Sequence, residues 1–494
     1  MFLSSGDLYR RYRPAPCDLR LYLNHQGVPA AEPGPYEQVI RRLGERYERA
    51  HLATFPEVRD LSAGTPGERR EQTLQAIADG VTVLYQPFFH ISARLAGREC
   101  DLGGAPDFLI RENGSYLVRD VKMSRRINAK DHPEILWQLR LYGWLLEQAT
   151  GQAPLRLEVL AGTGEIVVIE PIDPGLLIGE LEEIANLMTA DAAPFAPVGW
   201  SKCGGCGYQQ PCWQEAERAH SVALVPKADQ GMVRALRESG VNSFDDLLAA
   251  FDVATLAAFR RPWGQQMRKV GDAAATDVLR SARALATGTM ILIAPPQIPD
   301  SPNYVMFDLE GLPPQLDDLE KVYLWGMQVF GDEPSPFVAA TAGFGTNGDQ
   351  AGWEAYLGDA AVIFARYGDI PFVHWHHYER VKIDLYIGRY GDSDGIAARV
   401  KENLFDLLPA TQKAVALPLP SYSLKVVEDY VGFARTQEEY GGDWAMARYI
   451  EATEMEDESG RDAVLAEILR YNEEDLAATW AVFCWLRDLD QSRA

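Results

Sequence analysis

Hydrophobic and polar residues alternate along a short stretch, APDFLIRENGSYLVRDVK, at positions 105–122. Two runs rich in β-branched and aromatic residues flank Asn113-Gly114, and this dipeptide is a strong short-range signal for a two-residue hairpin turn. Counting outward from the turn places Asp107 opposite Asp120. The pattern therefore predicts an antiparallel hairpin in which two carboxylates face each other at the open end.

A lysine follows the second of these carboxylates. Strand alternation puts Lys122 on the same face as Asp120 and turns Val121 towards the core. Opposed carboxylates repel each other in a sheet, and a divalent cation removes that repulsion; two oxygen ligands suit Mg²⁺ or Mn²⁺. A neighbouring lysine can help to activate a water molecule or stabilise developing negative charge. The alternative is an ordinary edge hairpin with solvated charges, because short motifs of this kind often occur by chance.

A second set of acidic residues occupies the C-terminal part of the chain. The apolar strand NYVMFDLEG ends in Asp308 and Glu310, and alternation puts both on one face. Two carboxylates at positions i and i+2 supply half of a two-metal site. The later stretch RYNEEDLAATWAVFCWL has the period of an amphipathic helix, with Tyr471 and Asp475 one turn apart. Taken alone, this helix is better explained as a core helix with a solvated acidic turn.

The remaining periodicity divides the chain into segments. It predicts helices over 41–52 and 134–148, whereas 194–215 has the composition of a loop. From about 220 to 290 the pattern is helical only. ESGV and KVGD in this segment suggest weak helix-hairpin-helix units, in which backbone amides can meet a phosphate, although a plain helical spacer explains them equally well. The prolines of 295–302 predict a linker, after which strands and helices alternate as in an α/β domain.

Composition narrows the class of protein. The chain has 494 residues, 47% of them hydrophobic, which suffices for about three domains with buried cores. We expect a cytoplasmic protein, because no apolar run could span a membrane and the N-terminus lacks the apolar core of a signal peptide. The net charge of −24 argues by itself against a nucleic-acid partner. That average conceals basic segments at 9–13, 122–130 and 260–269, each of which alone is explained by a solvated face.

Clustered cysteines point to a metal site. Six cysteines in so long a chain do not make a disulfide framework. Cys203, Cys206 and Cys212 follow the spacing C-x2-C-x5-C, and Cys17 is the candidate for the fourth ligand that a closed site usually needs. Such a site would close a long loop and restrict the unfolded chain. Spacing alone does not separate Zn²⁺ from an iron–sulfur cluster.

Together these motifs resemble the RecB-type branch of the PD-(D/E)XK nucleases, and in particular its members with an iron–sulfur cluster. The resemblance covers most of residues 1–215 and includes LYRRYRPAPCDLRLYL, GAPDFL, VRDVK, QLRLYGWLL and CGGCGYQQPCW. It implies Mg²⁺ or Mn²⁺ on Asp107 and Asp120, with Lys122 as a catalytic residue. It also implies a [4Fe–4S] cluster on the four cysteines named above, with Zn²⁺ as the alternative.

Three further residues of this segment take their roles from the resemblance. The family usually has a metal-binding histidine four residues after a helix glycine, and here Glu48 stands at that spacing from Gly44. Glutamate also binds Mg²⁺, so Glu48 is carried over as a ligand, and His51 is the candidate substitute. Gln138 and Tyr142 lie one helical turn apart and share a face; in the family that face orients DNA at the active site.

The C-terminal motifs resemble the RNase H-like exonucleases with four acidic ligands, the DEDD group. HWHHYER matches the spacing of their middle motif, with Glu379 in place of the usual aspartate. The resemblance implies that Asp308, Glu310, Glu379 and Asp475 hold two Mg²⁺ or Mn²⁺ ions. It also implies that Tyr471 orients the attacking water, as in the DEDDy 3′–5′ exonucleases.

The order of these segments is similar to that of a group of RecB-like nucleases fused to an RNase H-like exonuclease domain. We therefore expect an α/β protein with a PD-(D/E)XK restriction-endonuclease-like domain at 1–218, a helical, helix-hairpin-helix-like connector at 219–292, a proline-rich linker at 293–303 and an RNase H-like domain at 304–490. The expected function is metal-dependent hydrolysis of DNA, single-stranded or at ends, at two active sites, in repair or processing. The alternatives are a nucleic-acid-binding scaffold with one or both sites inactive, and an RNA-processing exonuclease.

Overall fold

The structure is a computed structural model, and it describes residues 1–264, 266–314, 316–317, 319–437 and 441–491. Within it the chain divides into two compact units, each with its own hydrophobic core. The first unit comprises Met1–Ala196 and Ser201–Gln210, and the second comprises Pro197–Trp200 and Pro211–Ala494.

The first unit mixes helices and strands. Its helices are α1 (Ser5–Tyr12), α2 (Asp18–His25), α3 (Pro35–Leu52), α4 (Pro66–Ala78), α5 (Pro133–Thr150) and α6 (Pro174–Met188). Its strands are β1 (Phe2–Ser4), β2 (Arg59–Asp60), β3 (Val83–Tyr85), β4 (Phe89–Leu95), β5 (Arg98–Gly104), β6 (Phe108–Glu112), β7 (Ser115–Val121), β8 (Leu157–Leu160) and β9 (Ile166–Ile169). The helices predicted over 41–52 and 134–148 are confirmed, since they lie within α3 and α5.

Two short helices occupy the segment in which the units meet along the chain. They are α7 (Trp200–Cys203) and α8 (Gln209–Arg218), and each contains residues of both units. The sequence pattern predicts only loop over 194–215, and that prediction is wrong for these helices. A helix of one to three turns has too few residues to display a hydrophobic period, and the glycines and proline around it have the composition of a loop.

The larger sheet of the first unit has the strand order β2-β3-β6-β7-β8-β9. Strands β6 and β7 are antiparallel, and β7 pairs with β8 in parallel. Helix α5 packs against β7 and β8. It begins at Pro133, a residue that suits a first turn, and it stops before Gly151, whose φ of 73° only glycine adopts without strain. The sheet and α5 together bury the carboxyl end of β7.

A smaller sheet holds the start of the chain, with the order β1-β5-β4. Strand β1 runs parallel to β5, and α1 follows it directly. The turn into α1 is closed by a capping box, in which Ser4 and Asp7 satisfy each other's backbone amides. Because α1 packs on α5, its first residue, Ser5, lies beside α5.

The second unit also mixes helices and strands. Its helices are α9 (Gln230–Glu238), α10 (Phe244–Ala250), α11 (Val253–Ala258), α12 (Asp272–Thr287), α13 (Gly345–Tyr367), α14 (Tyr378–Tyr390), α15 (Ile396–Glu402), α16 (Leu407–Ala414), α17 (Leu424–Val431), α18 (Gly442–Glu454) and α19 (Glu458–Gln491), with a 3-10 helix at Val222–Leu224. Its strands are β10 (Arg260–Trp263), β11 (Gln266–Lys269), β12 (Ile291–Leu292), β13 (Asn303–Leu312), β14 (Lys321–Gly331), β15 (Val338–Thr341), β16 (Phe372–His374), β17 (Leu404–Asp406) and β18 (Val415–Ala416).

Helices α9 to α12 share one core, as the helical pattern of 220–290 predicts. The prediction that this segment is helical only is wrong, because β10 and β11 form an antiparallel hairpin between α11 and α12. Gly271 of KVGD has a φ of 85° and follows this hairpin, so it does not join two helices. The strands escaped the pattern because RRPW and QMRK carry charged residues and a proline where a half-buried strand would alternate.

The C-terminal part of the second unit contains a sheet with the order β15-β14-β13-β16-β17. Strand β13 is central; it pairs with β14 in antiparallel and with β16 in parallel orientation. Helix α13 packs against β14 and β15, and the long helix α19 packs against β13 and β14. The strand residues between them, among which are Val305, Phe307 and Trp325, are buried. The arrangement brings the end of β13 next to α19.

The longest helices carry charged residues along their length. Helix α19 has 34 residues and α13 has 23, and acidic and basic side chains interrupt both sequences. Within the described part of the chain, no helix has the combination of length and apolar composition that crossing a bilayer requires.

Two candidate active sites

The turn of the predicted hairpin is present between β6 and β7. Asn113 has a φ of 52° and Gly114 a φ of 86°, the two positive values that a type I′ turn needs. The register pairs Phe108 with Arg119, as counting outward from the turn predicts. The next position outward holds Asp107, immediately before β6.

Each of the two carboxylates of this hairpin accepts a hydrogen bond from a backbone amide of the opposite strand or its flank. The amide of Asp107 donates a hydrogen bond to Asp120 Oδ1 at 3.1 Å, and the amide of Val121 donates to Asp107 Oδ2 at 2.8 Å. Lys122 Nζ lies 3.0 Å from Asp120 Oδ2, and Asp120 is only 1% exposed. Val121 packs in a small core with Phe108. Lys122 therefore lies beside Asp120 and Val121 is turned inward, as strand alternation predicts. We call Glu48, Asp107, Asp120 and Lys122 the hairpin site.

Burial and repulsion disfavour the charged form of Asp107 at the hairpin site. Burial, followed by repulsion from Asp120 and Glu48, raises the pKa of Asp107 well above its ordinary value, and Lys122 only partly opposes this. Burial alone would lower the pKa of Lys122, but attraction to Asp120 and Asp107 raises it. Two carboxylate groups with a third nearby are an oxygen donor set that fits Mg²⁺ or Mn²⁺, whose charge would offset the repulsion.

A glutamine that sequence reasoning missed joins the third carboxylate to this pair. Gln86 Nε2 donates to Glu48 Oε1 at 2.8 Å and lies 3.2 Å from Asp107 Oδ1. Its φ of 55° is uncommon for a residue other than glycine. The backbone amide of Gln86 donates to the backbone carbonyl of Asp107 at 2.8 Å, and the backbone carbonyl of Gln86 accepts from Arg69 Nη2 at 2.7 Å. No local pattern in the sequence marks this residue, because all its partners are distant along the chain or belong to another strand.

The candidate substitute ligand, His51, has a different environment. Its ring packs edge-on against Phe55 and Phe108, and its Nε2 lies 3.3 Å from Arg119 Nη1. Burial, with repulsion from Arg119, lowers the pKa of His51. Glu48, and not His51, is the residue that shares a hydrogen-bond partner with Asp107.

Gln138 and Tyr142 both lie on α5 and both contact the first residue of α1. Gln138 Nε2 donates to the Ser5 carbonyl, and the Tyr142 hydroxyl donates to Ser5 Oγ, each at 3.0 Å. A Cβ on Gly104 would lie 2.7 Å from the Tyr142 ring, so glycine is needed there for the ring to fit. Burial and the neighbouring Asp120 raise the pKa of Tyr142. The two residues therefore share a face, as their spacing predicts, and Tyr142 lies close enough to the hairpin site to feel its charge.

The four candidate cluster ligands are all partly exposed. Cys17 precedes α2, Cys203 ends α7 and Cys212 lies in α8. The Cys206 amide donates to the Cys203 carbonyl at 3.1 Å, which makes a tight turn through Gly205 with its φ of 67°. Thiolate donors of this number fit either an iron–sulfur cluster or Zn²⁺. The assignment of a cluster to these cysteines stays a prediction.

Three carboxylates converge at the end of β13. One oxygen from each of Asp308, Glu310 and Asp475 lies within 4.8 Å of the others. Asp308 and Glu310 share a face by strand alternation, and the register with β14 shifts by one residue directly after Glu310, as at a β-bulge, before pairing resumes at Gly311. Asp475 comes from α19, which packs across the strand. We call Asp308, Glu310 and Asp475 the sheet site.

At the sheet site the charged forms of all three carboxylates are disfavoured. Burial, followed by repulsion from Asp475 and Glu310, raises the pKa of Asp308 well above its ordinary value. Burial and repulsion from Asp475 raise the pKa of Glu310 to about 8. Burial raises the pKa of Asp475 against the pull of Arg435. Convergent carboxylates, of which Glu310 and Asp475 are buried and Asp308 is half-buried, are the donor set that Mg²⁺ or Mn²⁺ prefers. These residues therefore fit the metal that the C-terminal motifs imply.

Two cations accompany the sheet site: Arg435, which sequence reasoning missed, and Lys425, for which the sequence suggests a contact with a phosphate. Arg435 donates to both Glu428 oxygens, at 2.5 and 2.8 Å, and also donates to Asp475 Oδ1. Lys425 lies one turn before Glu428 in α17. Burial lowers the pKa of Lys425; attraction to Asp475 and Glu428 opposes this fall, and repulsion from Arg435 adds to it. Arg435, itself held by Glu428, thus binds one ligand of the sheet site directly.

A buried asparagine orients another ligand. Asn472 Nδ2 donates to Asp308 Oδ2 at 2.7 Å, and the asparagine is fully buried. A Cβ on Gly326 would lie only 1.7 Å from Asn472 Oδ1, so glycine at that position of β14 makes room for the amide. The helical period links Asn472 to Asp475 and offers the one sequence signal that could have found it.

The fourth predicted ligand, Glu379, has a partner of its own. Its Oε2 lies 2.9 Å from His374 Nδ1, and it is 2% exposed. Burial raises the pKa of Glu379, and His374 opposes the rise. Repulsion from Glu379 contributes to the raised pKa of Asp308, so the two groups are neighbours. Among the described residues, however, the carboxylates that converge within ligand distance do not include Glu379.

The ring of Tyr471 lies near two cations. Arg435 Cζ and Lys425 Nζ lie 5.8 and 5.5 Å from the centroid of its ring, and Trp444 packs edge-on at 6.1 Å. Burial and then repulsion from Asp475 raise the pKa of Tyr471.

Comparison with known proteins identifies both regions. Residues 26–213 match the model of the PD-(D/E)XK nuclease superfamily, and residues 305–487 match that of the RNase_H superfamily. The crystal structure of SSO0001 is similar at 17% sequence identity over 43% of this chain and 85% of that chain, with a TM-score of 0.23, which is too low to carry an argument. Comparison with curated proteins gives no match.

Proposed function

Since residues 26–213 form a PD-(D/E)XK nuclease domain and residues 305–487 an RNase_H superfamily domain, with helices between them, we propose that this metal-dependent nuclease has two active sites. Its proposed substrate is DNA, in single strands or at ends, and its proposed role is repair or processing. The observation that carries the proposal is the convergence of Asp308, Glu310 and Asp475. Carboxylates so close together, two of them buried, are costly unless a cation binds them.

At the sheet site, Asp308, Glu310 and Asp475 would hold Mg²⁺ or Mn²⁺. The metal would stabilise the negative charge on the entering and leaving oxygens of the phosphodiester. The Tyr471 hydroxyl, which stays protonated at neutral pH, would donate a hydrogen bond to the attacking water. Asn472 and Arg435 fix the carboxylates of Asp308 and Asp475 before the substrate arrives.

Glu379 and Lys425 would serve this site from its edges. Glu379 stays close to Asp308 because His374 holds it, which supports a role as the fourth acidic group. Lys425 supplies a positive charge beside the Tyr471 ring and would attract a phosphate oxygen of the substrate.

At the hairpin site, Glu48, Asp107 and Asp120 would hold the metal. The Lys122 ammonium, attracted by both aspartates, stays protonated and would stabilise the charge that develops on the phosphate. Gln138 and Tyr142 would orient the strand from α5, where Ser5 holds both side chains. We propose the same boundaries as the sequence predicts, with this domain at 1–218, a connector at 219–292, a linker at 293–303 and the second domain at 304–490.

A digestion panel tests the proposal. End-labelled single- and double-stranded DNA and RNA are incubated with the full chain in Mg²⁺, in Mn²⁺ and in chelator. We expect cleavage of single-stranded DNA with either metal and none with chelator. Failure to cleave any of the four substrates with either metal would favour a nucleic-acid-binding scaffold, and preferential cleavage of RNA would favour the RNA-processing alternative.

We also propose that Cys17, Cys203, Cys206 and Cys212 hold a [4Fe–4S] cluster with a structural role. Protein purified without oxygen should contain iron and sulfide and should show a broad visible absorption that bleaches on reduction. Elemental analysis that finds zinc without iron would replace the cluster by Zn²⁺. Cys17→Ala should lower the thermal stability of the proposed domain at 1–218, which contains all four cysteines, and spare the second domain. Cys100→Ala, which removes a cysteine outside this set, should leave the metal content unchanged.

A further inference from the structure

The hairpin β10–β11 concentrates positive charge in a strongly acidic protein. Residues 260–269 contain Arg260, Arg261, Arg268 and Lys269 and no acidic residue, whereas the whole chain has a net charge of −24. Every residue of β11 is exposed, and in β10 only Arg261 is partly covered. The hairpin is therefore an exposed basic surface.

The register of the hairpin opposes like charges. Arg260 pairs with Lys269, and Arg261 pairs with Arg268. Like charges directly opposite each other destabilise a two-stranded sheet. Asp229 Oδ2 lies 2.6 Å from Arg261 Nη1, but among the described residues Arg260, Arg268 and Lys269 form no ion pair. A polyanion lying along the hairpin would offset this repulsion.

An exposed tryptophan occupies the same face as two of the arginines. Trp263 is 50% exposed, and its ring centroid lies 4.5 Å from Arg261 Cζ and 5.8 Å from Arg268 Cζ. Asp229, which binds Arg261, also caps α9 by accepting from the Met232 amide at 3.0 Å. Arg261, which is bound by Asp229, therefore packs against the indole of Trp263, and about half of the Trp263 surface faces solvent.

We propose that β10–β11 is a contact surface for single-stranded nucleic acid, on which an unpaired base stacks against Trp263 while Arg268, on the same face, contacts a flanking phosphate. Bases within a duplex are covered by their neighbours, so an exposed indole selects unpaired bases, and every base offers a face for stacking. The inference rests on the proposed nuclease function and deepens it, because it names the single-stranded state as the one that the protein holds.

Binding by the full chain in chelator tests the surface without cleavage. Fluorescence anisotropy compares a labelled single-stranded DNA with a duplex of the same length across a series of salt concentrations. Trp263→Ala should weaken single-strand binding about tenfold and spare duplex binding, while Trp263→Phe should retain most of the affinity. Arg268→Ala should reduce the slope of log K against log salt by about 0.7.

Arg366→Ala is the matched control, since Arg366 also lies over an aromatic ring, that of Tyr367 at 4.7 Å, and should leave binding unchanged. Single-strand affinity that is unchanged in Trp263→Ala, or an equal loss on duplex, overturns the inference. If no substrate is cleaved but Trp263→Ala still loses single-strand binding, the nuclease proposal fails and the surface stands. If cleavage occurs and Trp263→Ala binds normally, the surface fails and the nuclease proposal stands.

Discussion

At the hairpin site the cation nearest to a carboxylate, Lys122, stands two residues from Asp120 on the same segment of chain. At the sheet site the corresponding cation, Arg435, is 40 residues from Asp475 and reaches it from the segment after α17. The first charge pair forms wherever the strand forms, whereas the second exists only when α17 and α19 pack together. Charge compensation at the sheet site is thus a property of the tertiary structure.

The two sites also differ in how many carboxylates meet. Three groups converge within 4.8 Å at the sheet site, whereas at the hairpin site Gln86 stands between Glu48 and Asp107. The repulsion between carboxylates is therefore greater at the sheet site, and a bound metal would relieve more of it there. Four measurements bear on this difference, and the first has the largest expected effect.

Removing one carboxylate from each site separates their activities. Asp308→Ala and Asp120→Ala each remove a candidate ligand, and each should lower the activity of its own site by roughly 10³-fold, or about 4 kcal/mol of transition-state stabilisation. Each single variant should keep a residual activity with its own substrate preference, and the double variant should lose both. Cleavage of labelled single-stranded DNA and RNA is measured for all three. If Asp308→Ala matches the wild type on every substrate while Asp120→Ala abolishes cleavage, the C-terminal domain is a binding module.

Removing the distant cation should destabilise the second unit. Arg435→Ala leaves Glu428, which is 3% exposed, and Asp475 without their shared donor, and loss of one partner from a buried ion pair costs about 3 kcal/mol. Urea denaturation measures the change in free energy of unfolding. The matched control is Arg399→Ala, whose ion pair with Asp369 is solvent-exposed and should contribute less than about 1 kcal/mol. Equal losses in the two variants would contradict the role given to Arg435.

Divalent metal should stabilise the sheet site more than the hairpin site. At a metal concentration about 100 times the Kd, binding to the folded state alone adds about 2.7 kcal/mol. Melting curves are recorded with Mg²⁺ and with chelator for the wild type, Asp308→Ala and Asp120→Ala. We expect most of the metal-dependent shift to vanish in Asp308→Ala and to persist in Asp120→Ala. The reverse pattern would show that the hairpin site is the tighter metal site.

The smallest expected effect concerns Gln86, which bridges two carboxylates of the hairpin site. Gln86→Ala removes the bridge and keeps the uncommon φ of 55°, so it should lose about 1 kcal/mol of stability and reduce hairpin-site activity several-fold. Gln86→Gly removes the same bridge and relieves the backbone, so it should recover stability without recovering activity. Both quantities are measured with Asp308→Ala as background, and parallel recovery of activity in Gln86→Gly would rule out the bridging role.

The sequence predicted the arrangement of site residues wherever that arrangement depends only on residues close together in the chain. The Asn113-Gly114 turn specified the register of β6 and β7, and with it the approach of Asp120 to Asp107. The helical and strand periods likewise paired Tyr471 with Asp475 and Asp308 with Glu310. These outcomes depend on backbone sterics and side-chain periodicity over a few residues, which are written directly in the sequence. The roles assigned to these residues remain predictions.

Contacts between distant segments were decided by the tertiary structure alone. Arg435 and Gln86 show no local pattern that marks them, because their carboxylate partners are brought to them by packing. The hairpin β10–β11 was missed for a related reason: its stability does not come from an alternating apolar face, so it left no period in the sequence. The sequence by itself determined which carboxylates share a face, and the packing of helices on sheets decided which cations and amides compensate them, because burial and Coulomb interactions depend on distance in space.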